Sequence, residues 1–375
     1  MSVKILKGSI IFNTAFDVGW EINLAKVEET LLSAEKKSSR FRFSKDPRKA
    51  IIIKEAPIKI DLPQEEITIL GKKYKTSVYS RVWDYGVISI NLEIPIETGS
   101  SWEELVNIAG TLETDPEIEK LSIRLKDNLK ASIINHIKNP QEWDYFEDYI
   151  TYFLEGLDGV SKPLELFEKA DIAALILGEN EHKLSTMSSL PITDNYIQYY
   201  DDDLAIIDWN SAVLIEPSGN RDVADVIEFS LTHLLELRYY DYMIDKKLDE
   251  LYDIINGENK GLKRVIKTHY EKIARESSQN YVDFSDFTAK VENSLKTVGD
   301  PYVATVFRSC AEQFRFDDWY QSISRKMNTL FQITQIFQGE ITAIRSHLLE
   351  IIIILLIALE LIPLGWQLMD YFFPR

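Results

Sequence analysis

Four acidic positions between residues 179 and 208 have the residue types that could hold a divalent cation. They are Glu179, Asp201, Asp203 and Asp208, and the last two flank a short apolar run. Carboxylate oxygens are ligands of Mg²⁺ and Ca²⁺, so these residues could serve a metal-dependent enzyme. Their spacing matches no known metal-binding loop, and acidic residues just before a strand more often form a solvated turn. We therefore predict no metal and no cofactor, and keep the metal-dependent enzyme as an alternative.

A second candidate is the pair Arg238 and Asp241, one turn apart on a predicted helix. Asp241 falls among the apolar positions of that helix, where a carboxylate must be paired. We predict a buried Arg238–Asp241 ion pair that fixes helix register, with a catalytic or proton-relay role as the alternative. The five histidines lie far apart, Cys310 has no nearby His or Lys, and no phosphate loop, nucleophile elbow or zinc motif is present. We therefore predict that the protein is not an enzyme.

The elements that must position these residues change in type along the chain. Alternating and β-branched stretches in the first hundred residues predict strands, with one helix between them, as in an α+β body with an antiparallel sheet. Residues 140–157 are predicted to be helical, and a hairpin is predicted around Trp209 and Asn210. The predicted divisions are a strand-rich α+β subdomain (1–100), a helical and small α/β block (101–216), a helical domain (221–315), a coiled-coil stem (316–346) and a membrane-associated tail (347–375).

A heptad repeat runs through the helix that begins near Phe316. One register holds an apolar residue at every seventh position from Ile323 to Ile351, and a second register follows four residues later with one polar member, Thr334. Such a sustained a/d seam is typical of helix pairing in a coiled coil. The residues expected at an oligomer interface are Ile323, Met327, Leu330, Phe337, Ile341, Ile344 and Leu348.

The helix then continues into an almost wholly apolar tail. A spanning helix needs roughly 20 mostly apolar residues, and the segment from Leu348 to Phe373 is longer than that. Glu360 lies near its centre, where a carboxylate should be protonated or face the interior of an oligomer. The residues expected in the membrane are Ile351, Ile352, Ile353, Ile354, Leu355, Leu356, Glu360 and Trp366. A buried helix in the core of a soluble oligomer is the alternative.

Composition limits the possible partners. The net charge of −18 argues against binding nucleic acid or anionic lipid through bulk electrostatics. A single cysteine indicates a reducing compartment, and the N-terminus lacks the apolar run of a signal peptide. Residues 35–49 are rich in Lys and Arg; we interpret them as a charged surface loop, with phosphate or RNA binding as the alternative. The body is therefore expected to face the cytoplasm.

Several segments together resemble the YagE-type domain of unknown function, whose eukaryotic members are named "required for meiotic nuclear division". The segments similar to that family are residues 16–24, 199–209, 234–241, 298–304, 318–319, 325–327 and 348–356. The resemblance covers most of Asp171 to Leu361. It implies a tail-anchored protein with oligomerising helices and no established enzymatic activity. Eukaryotic relatives sit in the mitochondrial inner membrane and support organellar translation.

These observations predict a homo-oligomeric, tail-anchored membrane scaffold. It would present an acidic cytoplasmic body to an unidentified protein partner. The alternatives are the metal-dependent enzyme that uses Glu179, Asp201, Asp203 and Asp208, and a soluble oligomer with the apolar tail as its core.

Overall fold

The computed structural model describes residues 3–33, 38–40, 56–256 and 301–372, together with single positions between 275 and 289. The chain divides into two compact units. The first comprises Met1–Tyr239 and Asp286–Tyr320, and the second comprises Tyr240–Ser285 and Gln321–Arg375. The first unit is mixed α and β, and the described part of the second is helical. The prediction of an α+β fold with a helical C-terminal region is therefore confirmed.

Strands dominate the first unit, because long stretches of its sequence are β-branched and aromatic. The described strands, in chain order, are β1 (Lys4–Asp17), β2 (Gly19–Ile22), β3 (Ser38–Arg40), β4 (Ile58–Ile69), β5 (Lys72–Val82), β6 (Val87–Pro95), β7 (Ser100–Ser101), β8 (Ile137–Pro140), β9 (Phe146–Asp158), β10 (Tyr196–Ile197), β11 (Leu204–Ile207) and β12 (Ser211–Ile215).

Within the described residues, ten of these strands form one large sheet. Its order is β10-β11-β12-β9-β1-β6-β5-β4-β3, with β7 paired to β1, while β2 and β8 form a separate ribbon. All neighbours are antiparallel except β12 and β9, which run parallel. The sheet is therefore mixed and not purely antiparallel as predicted. Strands from both sides of the predicted boundary at residue 100 lie in it, so that boundary does not divide the sheet.

The β5–β6 hairpin depends on a glycine. The chain turns between Val82 and Val87, and the Trp83 N–H donates to the Val87 carbonyl at 2.9 Å. Gly86 has a φ of +95°, and a Cβ built on it would lie 1.6 Å from the Gly19 carbonyl oxygen. Only glycine fits this position, because the turn needs a positive φ and close backbone contact.

Helices make up the remaining described elements. The described helices are α1 (Leu24–Ser33), α2 (Trp102–Leu112), α3 (Pro116–Ile133), α4 (Leu166–Lys169), α5 (Ile172–Ile176), α6 (Thr186–Thr193), α7 (Asp222–Asn256), α8 (Pro301–Gln313) and α9 (Phe316–Phe372). A capping box of Ser101 and Glu104 starts α2, and Asp115 caps α3, so both helices begin where the sequence supplies an acceptor. The predicted helix at residues 140–157 is wrong, because β9 occupies most of that region.

The first half of α7 is surrounded by other elements of the first unit. Residues 224–237 are all buried, as expected for a helix that is covered on every side. Arg81 of β5 binds Asp225 of α7, and the Phe229 ring lies 6.0 Å from the Phe307 ring of α8. The His233 ring lies 6.5 Å from the Phe316 ring at the start of α9. The helix is thus held between the sheet and α8–α9.

In the second unit, the later part of α7 contacts the body of α9. The Ser322 hydroxyl donates to Asp241 at 3.0 Å, and one turn later the Lys326 ammonium lies 2.6 Å from Asp245. From the first contact to the second, the contacting residue moves four positions towards the C-terminus on both helices. The two helices therefore run in the same direction here. Ile244, Leu248 and Leu251 of α7 and Ile323, Met327 and Leu330 of α9 are buried.

Candidate functional site

The longest run of exposed apolar side chains in the described residues is on α9. Between residues 349 and 362, hereafter the exposed apolar segment, the large apolar side chains are 43–64% exposed. They are Leu349, Ile351, Ile352, Ile353, Ile354, Leu355, Leu356, Ile357, Leu359, Leu361 and Ile362. Because they follow one another along the helix, they face every direction around its axis. A helix that is apolar on all sides is normally covered by other helices or lipid.

The predicted oligomer seam has a buried first half. Ile323, Met327 and Leu330 are buried within a single chain, at the level where Lys326 binds Asp241 and Asp245 of α7. This part of the seam is therefore occupied by the chain's own helix. The side chains of the other predicted interface residues, Phe337, Ile341, Ile344 and Leu348, lie outside the described residues.

The four carboxylates considered as metal ligands each have their own contacts in the structure. Glu179 accepts the backbone N–H groups of Glu181 and His182 at 2.8 and 2.9 Å, and Asp203 accepts those of Tyr199 and Tyr200. Asp201 is 90% exposed and lies 3.1 Å from Lys162, and burial raises the pKa of Asp208. No group of three or more His, Cys, Asp or Glu in the described residues could hold a metal ion.

Arg238 and Asp241 have different partners in the structure. The Arg238 guanidinium lies 3.0 Å from the Glu147 carboxylate and within 5.4–5.6 Å of the rings of Tyr145, Trp209 and Trp319. Burial lowers the pKa of Arg238. Asp241, in the second unit, binds Lys326 at 2.8 Å. The predicted Arg238–Asp241 ion pair is therefore wrong: Asp241 binds Lys326, while Arg238 binds Glu147 and lies near three aromatic rings.

A buried charged network on α7 was not identified from the sequence. Arg81 of β5 binds Asp225 at 2.6 Å and also binds Glu228. Ser89 and Asn91 of β6 donate hydrogen bonds to Glu228, the amide at 3.0 Å. The network joins the sheet to α7. The only sequence signal for it is the placement of acids on the apolar face of α7, because Arg81 is distant along the chain.

A cleft of about 250 Å³ in the first unit was also not identified. Its lining includes Glu113 just beyond α2, Asp148 and Tyr152 of β9, and Asn210 before β12. These residues come from three distant parts of the sequence, and no local motif connects them.

The helices of the structure bear on the membrane span expected in the apolar tail. Within the described residues, no helix combines the length and the apolar character needed to cross a bilayer. The prediction of a tail-anchored membrane scaffold, with Ile351–Leu356 in the bilayer, is therefore wrong. The side chains of Glu360 and Trp366 lie outside the described residues, as do most of residues 35–49. The cytoplasmic placement of the body stays a prediction.

The comparison with known families covers the region of the sheet and the cleft. A family model described as "Uncharacterized protein MJ0711, N-terminal domain" matches residues 7–222, more than half of the chain. The chain belongs to this family. The protein MJ0711 of Methanocaldococcus jannaschii, itself described as uncharacterized, is 22% identical over 240 residues, which are 64% of this chain and 72% of that protein. No solved structure matches the chain.

Membership in the MJ0711 N-terminal family corrects the resemblance drawn from the sequence. The assignment to the YagE-type, "required for meiotic nuclear division" family is wrong, because the matching model and the matching protein both belong to the MJ0711 family. The region that the model matches ends at Asp222, where α7 begins. The MJ0711 N-terminal family therefore accounts for the sheet with α1–α6 and the cleft, while α7–α9 lie beyond the matched region.

Proposed function

We propose that this protein assembles into a homo-oligomer through the exposed apolar segment of α9 and acts through that assembly, not as an enzyme. The observation that carries the proposal is the run of eleven large apolar side chains on one described helix, each about half exposed. Exposing so much apolar surface to water is unfavourable, and packing against the same segment of a second copy would bury it.

The area of the segment is large enough to support association. Full burial of a Leu or Ile side chain contributes about 1.5–3 kcal/mol, and these side chains have about half their surface still to bury. If six of the eleven are covered, each copy contributes on the order of 5–10 kcal/mol. Two copies together then contribute on the order of 10–20 kcal/mol, against an association cost of roughly 4–15 kcal/mol.

The heptad register supports coiled-coil pairing of the segment. Ile351 and Leu355 continue the registers of the buried Ile323 and Met327, and both are 58% exposed. The α7–α9 contacts pair residues 81 positions apart, so Asn256 at the end of α7 is level with residue 337 of α9. From there α9 continues for about 35 residues, or about 50 Å. The segment thus lies beyond the described part of α7, where another copy of α9 could pack.

The proposal can be tested by substituting heptad-register residues within the exposed apolar segment. In a variant carrying Ile351→Lys and Leu355→Lys, like charges would face one another across the pairing surface and desolvation would be costly. We expect the full-length protein to have a mass that is a multiple of 43.4 kDa, and the variant to shift towards 43.4 kDa, by light scattering after size exclusion. Phe331→Lys is the matched control, because Phe331 is 59% exposed on α9 but precedes the segment.

Two results would contradict the proposal. One is a parent protein that stays at 43.4 kDa at micromolar concentration, and the other is a variant with the parent's mass. A further check uses ionic strength. Each copy carries a net charge of −18, so mutual repulsion opposes assembly and is screened by salt. The assembled fraction should therefore rise between low and physiological salt, whereas association through ion pairs would weaken.

A further inference from the structure

The cleft in the first unit is built by one face of a strand. Asp148, Ile150 and Tyr152 alternate along β9, so their side chains point to the same side, and all three line the cleft. Glu113, just beyond the end of α2, and Asn210, before β12, complete its polar lining. The volume of about 250 Å³ is space for roughly eight water-sized groups. A ligand of that size is a small organic molecule.

The charge of the cleft is negative and uncompensated. Glu113 and Asp148 line it without any Lys, Arg or His in the lining, and neither forms an ion pair with a described residue. Burial raises the pKa of Asp148, and the nearby charge of Glu119 adds to the rise. Both Asp148 and Glu113 nevertheless remain exposed to solvent. Two carboxylates that line one cleft are stabilised by a cation placed between them.

Tyr152 provides an independent indication that the cleft holds a ligand. The residue is 1% exposed and lines the cleft, and its hydroxyl makes no hydrogen bond to another described residue. Because the hydroxyl is reached from the cleft, its hydrogen-bond partner is whatever occupies the cleft, either water or a ligand. Burial raises the pKa of Tyr152, and the negative charge of Glu113 raises it further. A donor bound between Tyr152 and Glu113 would satisfy both.

We propose that this cleft binds a small organic cation of the short aliphatic amine class. An ammonium group has three donors and no acceptor, which suits two carboxylates and a hydroxyl or carboxamide oxygen. The apolar side chains of Ile150 and Ile176, which also line the cleft, suit an aliphatic stem. A divalent metal ion fits less well, because no described group of three or more acidic, His or Cys residues is arranged to hold one. The proposal is independent of the assembly through α9.

The test uses 1,4-diaminobutane as the probe, titrated calorimetrically into the full-length protein. The diol of the same length, 1,4-butanediol, keeps the stem and hydroxyl donors but lacks the charge. We expect the diamine to bind and the diol not to bind. Glu113→Gln and Asp148→Asn should each weaken diamine binding by about tenfold or more, and Tyr152→Phe, which removes only the hydroxyl, by about tenfold. Asp201→Asn is the matched control, because Asp201 is an acid that is 90% exposed and outside the cleft.

Each outcome decides the proposal. Diamine binding that is lost in the three cleft variants and kept in Asp201→Asn supports it. It is overturned if the diamine does not bind at millimolar concentration, or if Asp201→Asn loses as much affinity as the cleft variants. Calcium chloride is titrated in parallel. Calcium binding that depends on Glu113 and Asp148, without diamine binding, would assign the cleft to a metal ion instead.

Discussion

Replacing Arg81 by methionine tests the buried network that joins β5 to α7. Methionine has a similar length but no charge, so the variant leaves Asp225 and Glu228 buried without their cation. Ser89 and Asn91 would still donate to Glu228, but they carry no charge. Removing one partner of a buried ion pair typically costs about 3–5 kcal/mol. Since small domains are stable by about 5–15 kcal/mol, we expect a large loss in the free energy of unfolding.

The pH dependence of that loss distinguishes an electrostatic cause from a packing defect. Burial raises the pKa of Asp225 above 3.8 even though Arg81 opposes the rise. Without Arg81 the folded-state pKa rises further above its unfolded value. The folded state then favours the protonated carboxyl, so stability is retained below about pH 4 and lost as pH increases through the raised pKa. The destabilisation should be smaller at pH 5 than at pH 8.

Urea denaturation followed by circular dichroism at pH 5 and pH 8 measures both effects. Combining Arg81→Met with Asp225→Asn should reduce the difference between the two pH values, because one of the two carboxyl groups left without a cation is gone. Lys73→Met is the control, since Lys73 forms an ion pair with Glu66 at the exposed surface, and little change is expected. The reasoning is refuted if Arg81→Met costs less than about 1 kcal/mol, or if it costs the same at both pH values.

Two further predictions concern the first unit. Burial raises the pKa of Asp17 to about 7 from 3.8, so its contribution to stability is complete below about pH 4 and is lost as pH rises through 7. Asp17→Asn should therefore flatten the fall in unfolding free energy between pH 5 and pH 8, and an unchanged slope would contradict this. Gly86→Ala should destabilise by more than about 2 kcal/mol, because its Cβ would meet the Gly19 carbonyl. Gly71→Ala is its control, with a φ of +78° but no atom within 4 Å; equal losses in thermal unfolding would show that backbone strain alone is responsible.

The sequence indicates some strands clearly and hides others for a physical reason. The β11–β12 hairpin is predicted around Trp209 and Asn210 because apolar residues run on both sides of these turn residues, and the structure confirms it. The sequence pattern predicts a helix where strand β9 forms. This strand lies inside the sheet between β1 and β12, where both faces are covered, so residues 149–154 are all buried and show no alternation. Such a run cannot be distinguished from a buried helix by periodicity alone.

The cleft and the charged network could not be predicted from the sequence, because each joins residues that are far apart in the chain. The cleft requires β9 to pair with β12, with Asp148 and Asn210 brought together from segments that share no motif. The charged network requires β5 to face α7, so Arg81 reaches acids about 145 positions away. Local spacing contains no information about either pairing. The sequence could indicate only that α7 carries acids at positions where burial would demand a partner.

A heptad repeat indicates that a helix is covered along one side, but not which helix covers it. In α9 the buried residues Ile323, Met327 and Leu330 lie where Lys326 binds α7, so the repeat first serves packing within the chain. The register then continues unchanged into Ile351 and Leu355, which are exposed. An unchanged register places the apolar residues of both parts on the same side of α9. A partner helix that packs on Ile351 and Leu355 would therefore lie on the same side of α9 as α7 does. This continuity favours a second α9, which carries the same repeat, as that partner.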